Sequence, residues 1–393
     1  MDINKINFET EKIFEDLIKT RRKIHEFPEL GLKEYKTTDL IIGKLKEYGI
    51  EDVRKIKDTG VVALISGKSE KCIGIRADID ALALEENTDL PFKSKNKGKM
   101  HACGHDIHTT CLLGTAYVLN KIKDELPGSV KLIFQPGEET GKGANYMIKE
   151  GVLENPKLLG IFGLHSWPHV EAGKVFHRSG KMSASSDVFY ITIKGKQGHA
   201  AHPESAVDPI YISGNIIVSM QSIISRELSP FQSAIITFAQ MEGGNLSNVI
   251  PKEVKLKGAI RTLSEETRDY VHKRFTELTM DLAKSFRGEA EVKIKKGISS
   301  GNNDEIISKY IKEATEEILG KDYYIYNPEP SMGAEDFSCY TKYVPGAMYR
   351  LGTGFKDMEN PSLHSDSFCA NEESIKTGVK VNTLTAIKLL ENL

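Results

Sequence analysis

The run Met100-His101-Ala102-Cys103-Gly104-His105-Asp106-Ile107-His108 gathers three imidazoles, a thiol and a carboxylate. These side chains bind transition metals: thiolate and imidazole suit zinc-type ions, and carboxylate is a harder donor. Further along, Gln135-Pro136-Gly137-Glu138-Glu139 sets two carboxylates side by side after an apolar run. Such a pair suits one group as a metal ligand and its neighbour as a general base. The two clusters together predict a metal-dependent hydrolysis. Two ions about 3.5–4 Å apart can share a water and polarise a carbonyl. Cys103 and His105 alternate along the chain, so an extended loop lets them converge, and a thiolate sulfur has lone pairs enough for two ions. Glu139, His165 and His364 would complete two shells that stay open to water and substrate. Glu138, beside a ligand, would take the proton of the water and return it to the leaving amine. His101, Asp106 and His108 are expected to support the site, Asp106 by capping a helix or orienting a ligand. Asp78 is expected to hold a ligand or the loop, and Asp80 to be structural.

These residues need a scaffold, and the apolar periodicity supplies one. Residues 11–24, 36–48, 105–123 and 143–150 have helical spacing; residues 61–66, 72–77, 129–134 and 158–164 read as strands. The alternation predicts an α/β layer with a mainly parallel sheet. Sites in such folds form beyond the carboxyl ends of strands, and Asp78, Glu138-Glu139 and His165 each follow an expected strand. From about Gly180 the pattern changes to strand, helix, strand, strand, helix, strand over residues 187–295, the order of a ferredoxin-like unit. Residues 304–319, 346–351 and 372–390 then return to the first pattern. The expected architecture is a discontinuous domain of residues 1–180 and 297–393, with residues 181–296 inserted. A free strand edge on the insert is either protected or paired with another chain, which suggests a homodimer.

Composition narrows the function classes. The 393 residues exceed one ordinary core and carry 53 basic against 55 acidic side chains, a net charge of -2. That balance argues against nucleic acid or an anionic membrane as partner. No apolar stretch predicts a signal segment or a membrane span, so a cytoplasmic protein is expected. The five cysteines are odd in number, widely spaced and without a Cys-x-x-Cys pair, which disfavours a disulfide framework. Cys72, Cys111, Cys339 and Cys369 are expected to be buried apolar residues.

The chain resembles the aminoacylase, carboxypeptidase and hippurate hydrolase group of dinuclear metallohydrolases, in the branch of N-acyl-amino-acid amidohydrolases and auxin-conjugate hydrolases. The matching segments are Met100 to Asp106, Gln135 to Glu139, Leu164-His165-Ser166-Trp167-Pro168, Gly198-His199-Ala200-Ala201, Asn248-Val249-Ile250-Pro251, Met332-Gly333-Ala334-Glu335-Asp336-Phe337-Ser338 and Leu363-His364-Ser365. An early segment, Arg21-Arg22-Lys23-Ile24-His25-Glu26-Phe27-Pro28-Glu29-Leu30, also matches. The resemblance implies two divalent ions on Cys103, His105, Glu139, His165 and His364, with Glu138 as base and acid; by donor type, sulfur and nitrogen fit zinc, cobalt or nickel, and the carboxylate also admits manganese. It implies that His199 steadies the oxyanion at a neighbouring subunit's site, and that Asn248 and Arg261 hold the substrate. Bidentate pairing with a carboxylate suits Arg261. The insert would then be a lid and dimerisation domain. The implied reaction cleaves an N-acyl or N-aroyl amino acid to a carboxylic acid and a free amino acid. Alternatives are a dipeptidase, a carboxypeptidase or an N-acetyl-diaminopimelate deacetylase on the same scaffold, and a non-catalytic metal-binding protein. The chain departs from the family pattern at Gly137, where Ala is frequent, at His202, where Met is common, and at Cys369, where Asp is more usual.

Overall fold

The structure is a computed structural model and describes residues 2–393. The chain divides into two compact units: Met1–Gly180 with Asn302–Glu329 and Cys339–Leu393, and Lys181–Gly301 with Pro330–Ser338. Among the described residues no helix is long and apolar enough to cross a membrane.

The first unit is a mixed α/β layer. Its sheet runs in the order Val53–Lys55, Val61–Ile65, Ser129–Gln135, Cys72–Asp78, Gly160–Glu171, Gly346–Gly354, Val175–His177 and Tyr324–Tyr326. The central pairings, from Ser129–Gln135 across to Gly346–Gly354, are parallel. Cys72–Asp78 and Ser129–Gln135 are buried along their whole length, as a central strand covered on both faces should be. Even Lys131 is buried there, its ammonium donating to the carbonyls of Val152, Glu154 and Pro156 at 2.8–3.0 Å.

The helix His105–Lys121 is buried continuously from His105 to Leu119, as a helix inside a core is, with its polar side chains confined largely to the first turns. Leu113 and Leu119 pack in one cluster with Leu17 of Ile3–Glu26, Val379 and Leu389 of Ser374–Asn392, and Ile75 and Phe162 of the sheet. That packing anchors the helix whose first residues carry His105 and Asp106. Ile3–Glu26 starts earlier than periodicity predicts because the Asp2 carboxylate caps it, accepting from Asn4 N–H at 2.9 Å.

One expectation about strand ends needs correction. Gly160–Glu171 continues past Leu164, so His165 lies inside a strand rather than beyond its end. The ladder with Gly346–Gly354 persists through Trp167 opposite Gly352 and keeps polar residues extended where the apolar pattern has stopped. Within that strand Leu164 and Ser166 are buried, whereas His165 and Trp167 are half-buried on the other face.

The second unit has an antiparallel sheet in the order Ala234–Glu242, Glu253–Thr262, Ser186–Lys194, Glu289–Ile298. In chain order, helix Pro209–Ser222 falls between Ser186–Lys194 and Ala234–Glu242, and helix Glu265–Ser285 between Glu253–Thr262 and Glu289–Ile298. Ile216 and Phe275 from the helices pack with Phe189 and Ile193 from the sheet. Inside the unit Arg268 donates to both oxygens of the buried Asp187, at 2.8 and 2.5 Å.

Candidate functional site

The site is built where Cys72–Asp78 ends and His105–Lys121 begins. Asp80, just past the strand, is fully buried and makes four contacts that set the geometry. Its backbone carbonyl accepts from His105 Nδ1–H at 2.9 Å, with its Oδ1 3.2 Å from the same nitrogen. Its two carboxylate oxygens accept the N–H groups of Glu138 and Glu139 at 3.1 and 3.0 Å. Because His105 uses Nδ1 as donor, Nε2 presents its lone pair away from Asp80. His165 is set the same way, Nδ1–H donating to Ser166 O at 2.9 Å, and its Nε2 lies 3.5 Å from Cys103 Sγ. Fixing the imidazole tautomer through its second nitrogen is the usual support for a metal-binding histidine.

Five expected residues converge on two overlapping sets. Cys103, His105 and His165 bring one donor atom each within 4.8 Å of one another, and so do Cys103, Glu139 and His364. Cys103 belongs to both. Glu139 Oε1 is 3.9 Å from His105 Nε2 and 3.4 Å from His364 Nε2. Donors about 2.0–2.3 Å from one tetrahedral ion stand about 3.3–3.8 Å apart, so the Cys103–His165 and Glu139–His364 separations, 3.5 and 3.4 Å, each suit a shared cation. His105 Nε2 is buried without a hydrogen-bond partner, and buried polar atoms in native proteins are otherwise paired. The donor set of sulfur, imidazole and carboxylate fits two divalent ions. Three protein donors to each would leave open positions, as catalytic sites require.

The electrostatics agree. Burial opposes charge on His105, yet Asp78, Cys103 and Asp80 hold its pKa well above the usual imidazole range. Burial opposes charge on Asp78 too, but His105, His108 and Arg76 keep its pKa well below the carboxylate range. The neighbouring carboxylate thus favours positive charge at His105, which a bound ion would supply in place of the proton. Burial pushes the Cys103 thiol up, and coordination is what would deprotonate it. The hydrogen bond with Glu139 raises the pKa of His364. His364 sits in the left-handed region at φ 64°, and its N–H donates to Ala102 O at 2.8 Å, which pins its loop to the run that carries Cys103.

The remaining side chains of the run support these. Both nitrogens of His108 are engaged, Nδ1–H with Asp78 at 2.5 Å and Nε2 with Ser166 N–H at 2.7 Å, which leaves it no free donor atom. Asp106 is clasped by Arg21 Nε at 2.7 Å and His25 Nδ1 at 2.8 Å. His101 is buried with neither nitrogen bonded, and burial lowers its pKa to about 3. Three of the other cysteines are buried as expected; Cys369 is only partly so.

His199, Asn248 and Arg261 lie in the second unit. His199 pairs with Val249 in a short two-stranded ladder and is exposed, its ring centroid 5.6 Å from that of His202. Asn248 is exposed and its carbonyl accepts Ala200 N–H at 3.0 Å. Arg261 is half-buried and donates to Met332 O at 3.1 Å.

Sequence reasoning understated Asp80 and passed over Glu34. Asp80 had a signal, a second carboxylate two places after the strand-terminal Asp78. Glu34 had none, since its partner amide at Gly137 is remote in sequence.

Comparison with known proteins agrees with this geometry. The family model described as peptidase family M20/M25/M40 matches residues 74–388. The chain is 40% identical over 365 residues to an N-acetyl-L-cysteine deacetylase of Bacillus subtilis, covering 92% of this chain and 86% of that one. It is 37% identical over 378 residues to a hippurate hydrolase of Campylobacter jejuni, covering 95% and 96%. A crystal structure of a dinuclear metal binding peptidase of the M20 family from Bacillus subtilis superposes with a TM-score of 0.87 at 34% identity, covering 98% of this chain and 99% of that one. With family match, relatives and donor geometry in agreement, the chain belongs to peptidase family M20/M25/M40, as a metal-dependent amidohydrolase.

Proposed function

We propose that this protein hydrolyses the amide bond of N-acyl or N-aroyl amino acids, releasing a carboxylic acid and a free amino acid. The observation that carries the reading is the pair of donor sets sharing Cys103, with Glu138 beside them. The similarity to a deacetylase and a hippurate hydrolase, both named for N-acyl amino acids, supports the substrate class. When bound, two divalent ions supply Lewis-acid polarisation of the carbonyl and acidify a water. Cys103, His105 and His165 would hold one ion, and Cys103, Glu139 and His364 the other. The Glu138 carboxylate accepts the water proton and later delivers it to the amide nitrogen, which leaves as an amine. Asp80 fixes Glu138 and Glu139 through their N–H groups, so the base and its neighbouring ligand keep one spacing.

The second unit takes the roles of lid and dimerisation surface in this proposal. Its strand order supports the reading of a ferredoxin-like unit. Its edge strand Ala234–Glu242 exposes Ile235 and Met241, apolar groups that a second copy of the strand would cover. His199 is assigned to the oxyanion in a neighbouring subunit, Asn248 and Arg261 to the substrate, and the cytoplasm is the expected compartment. A mixture of Glu138→Ala and His199→Ala chains, each strongly impaired alone, should regain part of the activity once subunits exchange. Confirmed exchange without recovery would rule out action in trans.

The substrate class is tested by kcat/KM on metal-loaded protein across N-acetyl and N-benzoyl amino acids, dipeptides and N-acetyl-diaminopimelate. The acyl amino acids are expected to lead. A dipeptide or the diaminopimelate derivative at the top would replace this reading with the corresponding alternative.

A further inference from the structure

Residues 29–34 form the turn after the first helix and underlie the loop that carries Glu138 and Glu139. Ala81 N–H donates to Glu29 O at 2.8 Å, and Leu30 bridges to Ala81, so the turn is tied to the segment that follows Asp80. The fit against the loop leaves no space for a methyl group. A Cβ on Gly31 would stand 2.6 Å from Thr140 Cγ2, 3.0 Å from Asp80 Oδ2 and 3.1 Å from Gly137 Cα. A Cβ on Gly137 would meet Leu32 at 2.8 Å, and Gly137 holds φ 66°, which favours glycine. The Gly at this position, a departure from the family pattern, thus lets the turn and the loop touch.

Glu34 sits at that contact and is fully buried. Its Oε1 accepts Leu32 N–H at 2.9 Å and Gly137 N–H at 2.8 Å. Asp80 accepts the next two amides, those of Glu138 and Glu139. Three consecutive N–H groups are therefore held by two carboxyl groups. Glu34 belongs to none of the clustered donor groups around Cys103 and His105.

We infer that Glu34 is a positioning residue for amide hydrolysis: by holding Gly137 N–H it fixes the peptide that precedes the base, and so sets where the Glu138 carboxylate points. The inference rests on Glu138 being the base. Burial, reinforced by the charge of Asp80, raises the Glu34 carboxyl to about 7. Its Oε2 is buried without a partner, so the neutral acid is the form that suits the site. An amide is the neutral isostere of that acid and keeps the accepting oxygen, whereas alanine removes it and strands two amides.

The test is steady-state kinetics of the full, metal-loaded chain on an N-acyl amino acid slightly below neutral pH, for wild type, Glu34→Ala, Glu34→Gln and Glu138→Ala, with bound metal and folding measured on each. Glu34→Ala is expected to lose about 10- to 100-fold in kcat with KM little changed, and Glu34→Gln to recover most of that loss. Should the alanine chain not fold, Glu34→Asp, one methylene short of Gly137 N–H, takes its place with the same expected loss. Wild-type kcat in Glu34→Ala, or a folded Glu34→Gln as slow as the alanine variant, overturns the inference while leaving the base assignment intact. An active Glu138→Ala removes the base assignment itself, and this inference with it.

Discussion

Glu138→Ala is expected to lower kcat by about 10²- to 10⁴-fold, the range of general acid–base catalysis, while the protein stays folded and keeps its metal. That loss corresponds to about 3–5 kcal/mol of transition-state stabilisation. The expectation follows from placement. Glu138 is buried, its N–H is held by Asp80, and one of its oxygens lies within 4.8 Å of donor atoms on His105 and Glu139. It belongs to neither of the two sets that share Cys103, so removing it should cost proton transfer rather than ion binding. Steady-state kinetics with metal analysis separates the two. A variant as fast as wild type removes Glu138 as base; a slow variant that has lost metal makes it a ligand instead.

Cys103→Ala should act on the opposite quantity. Cys103 is the residue common to both donor sets, so its loss leaves each ion two protein donors instead of three. Metal content after dialysis should fall from two ions per chain to below one, and hydrolysis should become undetectable. His364→Ala removes a donor from one set alone and should leave one ion bound. Elemental analysis of the two variants reads the contrast directly. Equal metal loss in both, or full occupancy in Cys103→Ala, would show that the sulfur does not serve two ions.

The parts of this site that were legible in the sequence share a cause. Cys103, His105, Glu138 and Glu139 belong to short runs in which chemically unusual residues stand close together, each next to an apolar stretch that reads as sheet or helix. The alternation of those stretches also made the largely parallel sheet legible. His165 was legible as a donor but not in its setting. Its strand runs on to Glu171 because backbone pairing with Gly346–Gly354 continues where side-chain patterning ends. Asp80 and Glu34 act through backbone amides of a loop distant in sequence, and no residue type in that loop records which carboxyl holds its N–H groups. Gly137 shows the same limit. It stands in the sequence only as a departure from the family pattern, and its reason, the contact with Leu32, exists only in three dimensions.

The central claim is that two ions held by Cys103, His105, Glu139, His165 and His364 cleave an N-acyl amino acid. It is tested most directly by titrating chelator-treated protein with one divalent metal while measuring bound metal and release of free amino acid in the same samples. The predicted result is hydrolysis that climbs to its plateau at two ions per chain and is abolished again by chelation. Undiminished hydrolysis by metal-free protein, or a plateau already reached at one ion per chain, would contradict the claim.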